Sequence, residues 1–198
     1  MRYYLLRPDH SVPHKWVLGD IRHVNNWHFS NPPPNYMEPG TYTLDVRFEG
    51  VEVDYALAGY GSVPVLSRRA RDALVGLPEV DKPYHHLVLE PVHIANTHVE
   101  QDYFVMIIET QVECVDQQRS EYQRYAVDDP VRPDRAGDYR GFTRLVIDPV
   151  NVGGRDIFRL KHYLGAIIVS EEVKRRFESA GVVGMAFDSV NGDVTTVT

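Results

Sequence analysis

An apolar strand that leads directly into a capped helix constrains the fold more than any other feature of this sequence. Residues 166–169 are almost wholly apolar, and Ser170, which follows them, is a preferred helix N-cap. Acidic residues come next, where the positive end of the helix dipole stabilises them. Val173 and Phe177 recur at helical spacing and form the expected buried face. The sequence therefore predicts a helix over 170–180.

A second segment follows the same order of strand, serine and helix. Ser67 is the candidate N-cap, and Leu66, Ala70 and Leu74 form an apolar stripe at helical spacing. This pattern predicts a helix near 67–76. The two segments are a weak internal repeat, or they look alike because any strand that enters a capped helix has this pattern; the sequence leaves both readings open.

The remaining pattern is mainly that of β-strands. Tyr103–Ile108 is the most apolar run, and its β-branched and aromatic residues predict a central strand covered on both faces. Alternation over 41–48 and 51–55 about Glu49-Gly50 predicts a hairpin. Strands are expected near 3–6, 41–57, 86–94, 103–115, 144–149, 156–161, 166–169 and 182–188. We therefore expect an α+β fold, a mixed or antiparallel sheet core with two main helices.

The same periodicities predict which side chains are buried. We expect a core that includes Leu66, Leu74, Val105, Ile107, Leu145, Ile157, Leu160, Val169, Val173 and Phe177. Residues 8–40 are irregular and contain three consecutive prolines. Trp16 and Trp27 are expected to hold this part against the core, because a tryptophan buries a large apolar area.

The length, 198 residues, predicts one domain over 1–198, with one lobe or two. A lone cysteine, Cys114, forms no internal disulfide and indicates a reducing compartment. The first residues lack the apolar stretch of a signal peptide, and no apolar run is long enough for a membrane span. We therefore expect a cytoplasmic protein with no membrane association.

The charge is −7 and is unevenly distributed. Residues 97–138 contain ten acidic residues and four arginines, which is a net charge of −6. Such a balance argues against nucleic-acid binding, which requires basic residues against the phosphates. An acidic segment attracts a basic partner, or it is a solvated face that keeps the protein soluble. Both interpretations remain open at this point.

The sequence offers no recognisable catalytic or metal site. His85 and His86 are adjacent and point to opposite faces of a strand, while His93 and His98 match no zinc spacing. The acidic neighbours of Cys114 raise the pKa of a thiol rather than activate it, which favours a buried structural cysteine. We therefore predict no catalytic residue, no metal and no cofactor.

Several segments resemble a known family. They are Tyr3–Leu6, Pro64–Ser67, Asp156–Lys161, Ile168–Lys174 and Gly181–Phe187. Together they are similar to the bacterial immunity protein family called immunity protein eleven, first described as a domain of unknown function. The resemblance is clearest over 142–188, extends more loosely over 64–115 and is slight before residue 60. We take 64–188 as the family-like core.

The resemblance implies a cytoplasmic antidote encoded beside a secreted polymorphic toxin, often one delivered by contact-dependent or type VI-like secretion. Such a protein binds its cognate toxin domain and blocks it, and an acidic antidote docks rapidly onto a basic toxin. We expect residues 116–140 to reach the toxin, because this part is acidic and rich in tyrosine. The candidate partner-binding residues are Tyr122, Tyr125, Asp128, Asp129, Asp134, Asp138 and Tyr139.

Two other functions stay open. The protein could be an enzyme, a hydrolase that reverses a modification made by the toxin, or a binding module of a secretion system without an immunity role. Stoichiometry distinguishes a hydrolase from an antidote that binds the toxin, since an enzyme protects at substoichiometric amounts. Gene neighbourhood distinguishes a binding module without an immunity role, since no toxin gene would lie next to the gene of such a module.

Overall fold

Two β-sheets, a separate hairpin and a few short helices make up the fold. The computed structural model describes residues 1–31, 42–59, 61–81 and 87–192. The strands, in chain order, are β1 (Tyr3–Pro8), β2 (Val17–Ile21), β3 (Tyr42–Phe48), β4 (Tyr55–Ala58), β5 (Val63–Ser67), β6 (Leu87–Ile94), β7 (Tyr103–Ile108), β8 (Gln111–Val112), β9 (Glu121–Arg124), β10 (Tyr139–Arg144), β11 (Ile157–Leu160), β12 (Tyr163–Ser170) and β13 (Met185–Ser189). The α-helices are α1 (Arg68–Ala73), α2 (Pro78–Asp81), α3 (Pro149–Val152) and α4 (Glu171–Ser179).

The larger sheet has the strand order β2-β3-β6-β7-β5-β4, and the smaller has the order β13-β1-β12-β11-β8. Most neighbouring strands are antiparallel, whereas β3 with β6 and β8 with β11 are parallel. β9 and β10 pair only with each other. The structure is therefore mainly β and fits the α+β class in its broad form, with mixed sheets as expected.

The predicted central strand is confirmed. β7 lies between β5 and β6, and its residues alternate between two apolar clusters. Val105 and Ile107 face one cluster, while Met106 and Ile108 face the other. This second cluster fills the space between the two sheets and includes α1 and α4. A strand buried on both faces must be apolar throughout, which is the pattern seen in the sequence.

The two strand-to-helix segments share one capping arrangement. The hydroxyl of Ser67 donates to the carboxylate of Asp54 at 2.6 Å and accepts from the amide of Ala70. Ser170 donates in the same way to Asp156 and accepts from the amide of Val173. In both, an aspartate just before a hairpin strand pairs with the serine that ends the next strand. The similarity therefore extends to a repeated strand–strand–helix geometry.

Replacement of Ser170 by alanine should destabilise the protein by about 1–2 kcal/mol, because α4 loses its N-cap and Asp156 loses a buried hydrogen-bond donor. For a protein of this length the melting temperature should fall by about 2–8 °C. Thermal unfolding followed by circular dichroism measures this. Ser179→Ala, at the exposed end of the same helix, is the matched control. Equal melting temperatures for the two variants would contradict the capping role.

Nine of the ten predicted core residues are buried. The exception is Leu145, which is only partly buried against the third apolar cluster, on the outer face of the smaller sheet. Trp16 is buried and packs against Tyr103 with ring centroids 5.0 Å apart. Trp27, which was also expected to hold the N-terminal part, is instead exposed. The three prolines lie outside the described residues.

The predicted hairpin about Glu49-Gly50 is wrong. β3 and β4 do not pair with each other: in the larger sheet β3 pairs with β2 and β6, and β4 pairs with β5. Gly50 does not form a tight turn but lies against the chain at His14 and Lys15, where a Cβ would come within 2.2 Å of a carbonyl oxygen. Alternation identifies a strand but not its partner, because the pairing depends on distant segments.

Other boundaries also differ from the prediction. The two expected main helices are not confirmed as such: α1 has only six residues, and α2 and α3 have four each. The strand predicted over 144–149 is not found as such: Arg144 is the last residue of β10, and Ile147 forms a single bridge with Val115. Residues 8–40, which were predicted to be irregular, contain β2. No helix in the described part of the chain is long and apolar enough to cross a membrane.

Candidate functional site

The predicted partner-binding residues lie on the β9–β10 hairpin, which stands apart from both sheets. The hairpin is anchored at two points, one where β10 leaves the loop and one at its base. The amide of Tyr139 donates to the carbonyl of His162, in the β11–β12 turn, at 3.0 Å. The hydroxyl of Ser120 exchanges hydrogen bonds with the main chain of Val146, also at 3.0 Å. The hairpin is therefore held both at its base and at the end that carries the loop.

An aromatic cluster stabilises the hairpin. The ring centroids of Tyr122 and Tyr139 are 5.0 Å apart, those of Tyr139 and Phe142 4.7 Å, and those of Phe142 and Tyr163 5.1 Å. The guanidinium of Arg124 lies 4.2 Å from the centre of the Tyr139 ring and donates to its hydroxyl. Tyr139 is buried, which raises the pKa of its phenol. Tyr139 is thus an anchor of the hairpin rather than an exposed contact.

The loop of the hairpin, residues 125–138, is closed by its own hydrogen bonds. The amide of Tyr125 donates to the carbonyl of Asp138 at 3.0 Å, and the amide of Gly137 donates to the carbonyl of Tyr125 at 3.1 Å. The carboxylate of Asp129 accepts from the amides of Arg132 and Val131, which hold its pKa below the ordinary value. The loop therefore has a defined shape before any partner binds.

Two of the four loop aspartates form ion pairs with arginines of the loop. Asp134 pairs with Arg132 at 2.8 Å, and Asp138 lies 3.2 Å from Arg135 and 3.0 Å from His162. Residues 121–144 contain five acidic residues and five arginines, so the hairpin has no net charge. Asp128 is exposed and, within the described part of the chain, makes no ion pair. The acidic excess of 97–138 therefore lies mainly before the hairpin, over 97–120.

Apolar side chains occupy the tip of this loop. Val127 is 87% exposed and Val131 is 79% exposed, and the ring of Tyr125 lies beneath the guanidinium of Arg135. Beside the strands is an open groove of about 660 Å³, which Tyr122 and Phe142 help to line. The site therefore combines exposed apolar groups, paired charges and a groove. Sequence reasoning identified the loop but did not single out the two valines.

Cys114 fits a structural role. Its thiol is buried, and burial together with the nearby Asp148 raises the pKa to about 12. Among the described residues, no group of three or more histidine, cysteine or acidic side chains could hold a metal ion. His85 and His86 lie outside the described residues.

Sequence reasoning missed Arg159, which is the largest fully buried side chain among the described residues. It lies on β11 (Ile157–Leu160), a strand in which every residue is buried. Burial lowers the pKa of its guanidinium to about 10, so the group stays protonated at neutral pH. An arginine inside an apolar strand was the signal available in the sequence, because such a residue must be partnered when both faces of the strand are covered.

Two packed sheets, short capped helices and an anchored hairpin define a β-rich α+β protein. The family model of the immunity protein family (Imm11) matches residues 4–192. The chain therefore belongs to the Imm11 immunity protein family. The match extends well beyond the family-like core expected over 64–188, into the N-terminal part where the resemblance was slight. No curated protein matches the chain significantly.

Proposed function

We propose that this protein is a cytoplasmic antidote that binds a cognate toxin domain and blocks it in a one-to-one complex. Membership of the immunity protein family carries this proposal. The described structure adds a loop, residues 125–138, suited to contact another protein. Because the loop is closed by internal hydrogen bonds, less conformational entropy is lost when it binds.

The seven candidate residues divide into two roles in this proposal. Tyr125 and Asp128 lie on the accessible part of the loop, and Tyr122 lines the groove, so these three contact the toxin directly. Asp129, Asp134, Asp138 and Tyr139 shape and anchor the hairpin. Their replacement would disturb the loop itself, so it is a poor test of the contact surface.

The charge of the protein contributes through the rate of association. The net charge of −7 lies outside the neutral hairpin, so it attracts a basic toxin at long range without forming the contact itself. Added salt should therefore slow association more than it speeds dissociation. The contact at the loop tip is expected to be largely apolar.

The experiment is capture of the product of the adjacent gene by the tagged protein, followed by titration calorimetry of the purified pair. We expect a single complex with one antidote per toxin. In a toxin activity assay, protection should be complete only at equimolar antidote or above. Protection at a small fraction of the toxin concentration would contradict the proposal and favour an enzyme. Absence of binding with no protection would favour a binding module without an immunity role.

A further inference from the structure

A cavity of about 240 Å³ lies between the two sheets, close to Arg159. Its walls come from β1, β4 and β12 and are largely apolar, with Leu6, Leu57 and Ile167 among them. Arg159, Tyr55, Ser62 and Tyr163 supply polar groups, and so does Arg7, whose guanidinium already pairs with the carboxylate of Asp188. Gly61 and Gly165 lie at exposed positions around it, which gives the cavity access to the surface.

Arg159 is only partly satisfied by the protein. It is 1% exposed, and its three hydrogen bonds go to the main-chain carbonyls of Phe29, Ser62 and Leu164. A guanidinium has five N–H donors, and within the described part of the chain nothing accepts a hydrogen bond from the Nε of Arg159. Among the described residues no carboxylate pairs with it, and the phenol of Tyr55 stays neutral because burial raises its pKa.

A buried cation without a counter-ion is costly, because carbonyl dipoles replace only part of its hydration. A carboxylate is the natural complement of a guanidinium, since two oxygens match two N–H donors. The apolar walls favour a carboxylate on a short aliphatic stem over a strongly hydrated inorganic anion. We infer that this cavity is a binding site for a small aliphatic carboxylate, with Arg159 as its charged partner.

Two sources could supply this group: a free carboxylate of low molecular weight, or an acidic side chain of the toxin. The second rests on the proposed function and has a structural basis, because Tyr163 lines the cavity and its ring contacts Phe142 of the hairpin. A toxin bound at the hairpin would thus lie close to the cavity. The chemistry at Arg159 is the same in both cases.

The test uses the full chain alone, with sodium propionate as the probe. We expect about 100 mM propionate to raise the melting temperature by about 2–4 °C relative to sodium chloride at equal ionic strength. Propionamide has the same shape without the charge and should give no rise. An equal effect of propionamide, or no effect of propionate, would overturn the inference. Neither result bears on toxin binding, so the proposed function is tested separately.

Two variants locate the effect. Arg159→Met removes the charge, and Gly165→Leu fills the mouth of the cavity while Arg159 stays in place. A Cβ at Gly165 meets no atom within 4 Å, so the Gly165→Leu variant should fold. If the Arg159→Met variant does not fold, Gly165→Leu alone tests whether propionate binds in the cavity. Both should lose the response to propionate. Arg2→Met, at an exposed arginine, is the control and should keep it. A response retained in Gly165→Leu would place propionate elsewhere and overturn the inference.

The complex with the toxin separates the two sources. If propionate weakens the complex by competition, and Gly165→Leu weakens it as well, the toxin supplies the carboxylate. If propionate stabilises the free protein and the complex equally, the ligand is a free carboxylate. Either result supports the site.

Discussion

Arginine at both Val127 and Val131 should weaken the toxin complex by at least about 30-fold. Central contacts in protein interfaces contribute about 2 kcal/mol or more, and each 1.4 kcal/mol changes the dissociation constant tenfold. Both valines are exposed at the loop tip, so the substitution leaves the fold intact. It also adds positive charge, which repels a basic toxin. Titration calorimetry of the purified variant against the toxin measures the loss.

The matched control is Phe48→Arg. Phe48 is 63% exposed on the larger sheet, so this variant makes a similar change at a different apolar position. It should bind the toxin as tightly as the original protein. Asp128→Lys isolates the electrostatic contribution, because within the described structure Asp128 makes no ion pair that the change would break. If Phe48→Arg abolished binding while the double valine variant did not, the interface would lie on the β2–β3 side.

Phe177→Ala should destabilise the protein by about 3–5 kcal/mol, the usual cost of removing a buried phenylalanine. Phe177 is 1% exposed and belongs to the cluster between the two sheets, where its ring stacks near that of Phe187 at 6.4 Å. Removal of the ring leaves a cavity and abolishes the contacts that this side chain of α4 makes between the two sheets. The melting temperature should fall by about 6–20 °C, and urea unfolding gives the free energy directly.

Phe48→Ala serves as the control, because it removes the same side chain from an exposed position. Its stability should stay within about 0.5 kcal/mol of the original. A near-unchanged melting temperature for Phe177→Ala would mean that α4 is rotated relative to the sheets. Val173, on the same face, would then also be misplaced.

The sequence predicted local structure correctly where a short segment contains all the residues that specify it. Ser67 and Ser170 mark the starts of α1 and α4, and the apolar run Tyr103–Ile108 is the central strand. Such signals depend on neighbouring residues only, through capping geometry and alternation. The family match agrees with the resemblance carried by these segments.

Pairing could not be predicted in the same way. β3 follows the expected alternation, but its partners β2 and β6 come from either side along the chain, and β4 pairs with β5 instead. The loop 125–138 likewise looked acidic in sequence, whereas in the structure arginines of the same hairpin pair with Asp134 and Asp138. The order of residues along the chain does not show which charged side chains form ion pairs.

The broad class of fold, the caps of α1 and α4, most of the core and the family could all be predicted from the amino-acid sequence. Each depends on residue type and local spacing, which are readable along one chain. The strand order, the neutrality of the hairpin and the burial of Arg159 beside a cavity could not be predicted and are seen only in the folded chain. These depend on segments distant in sequence, since Arg159 contacts the carbonyls of Phe29, Ser62 and Leu164 only after the two sheets have packed.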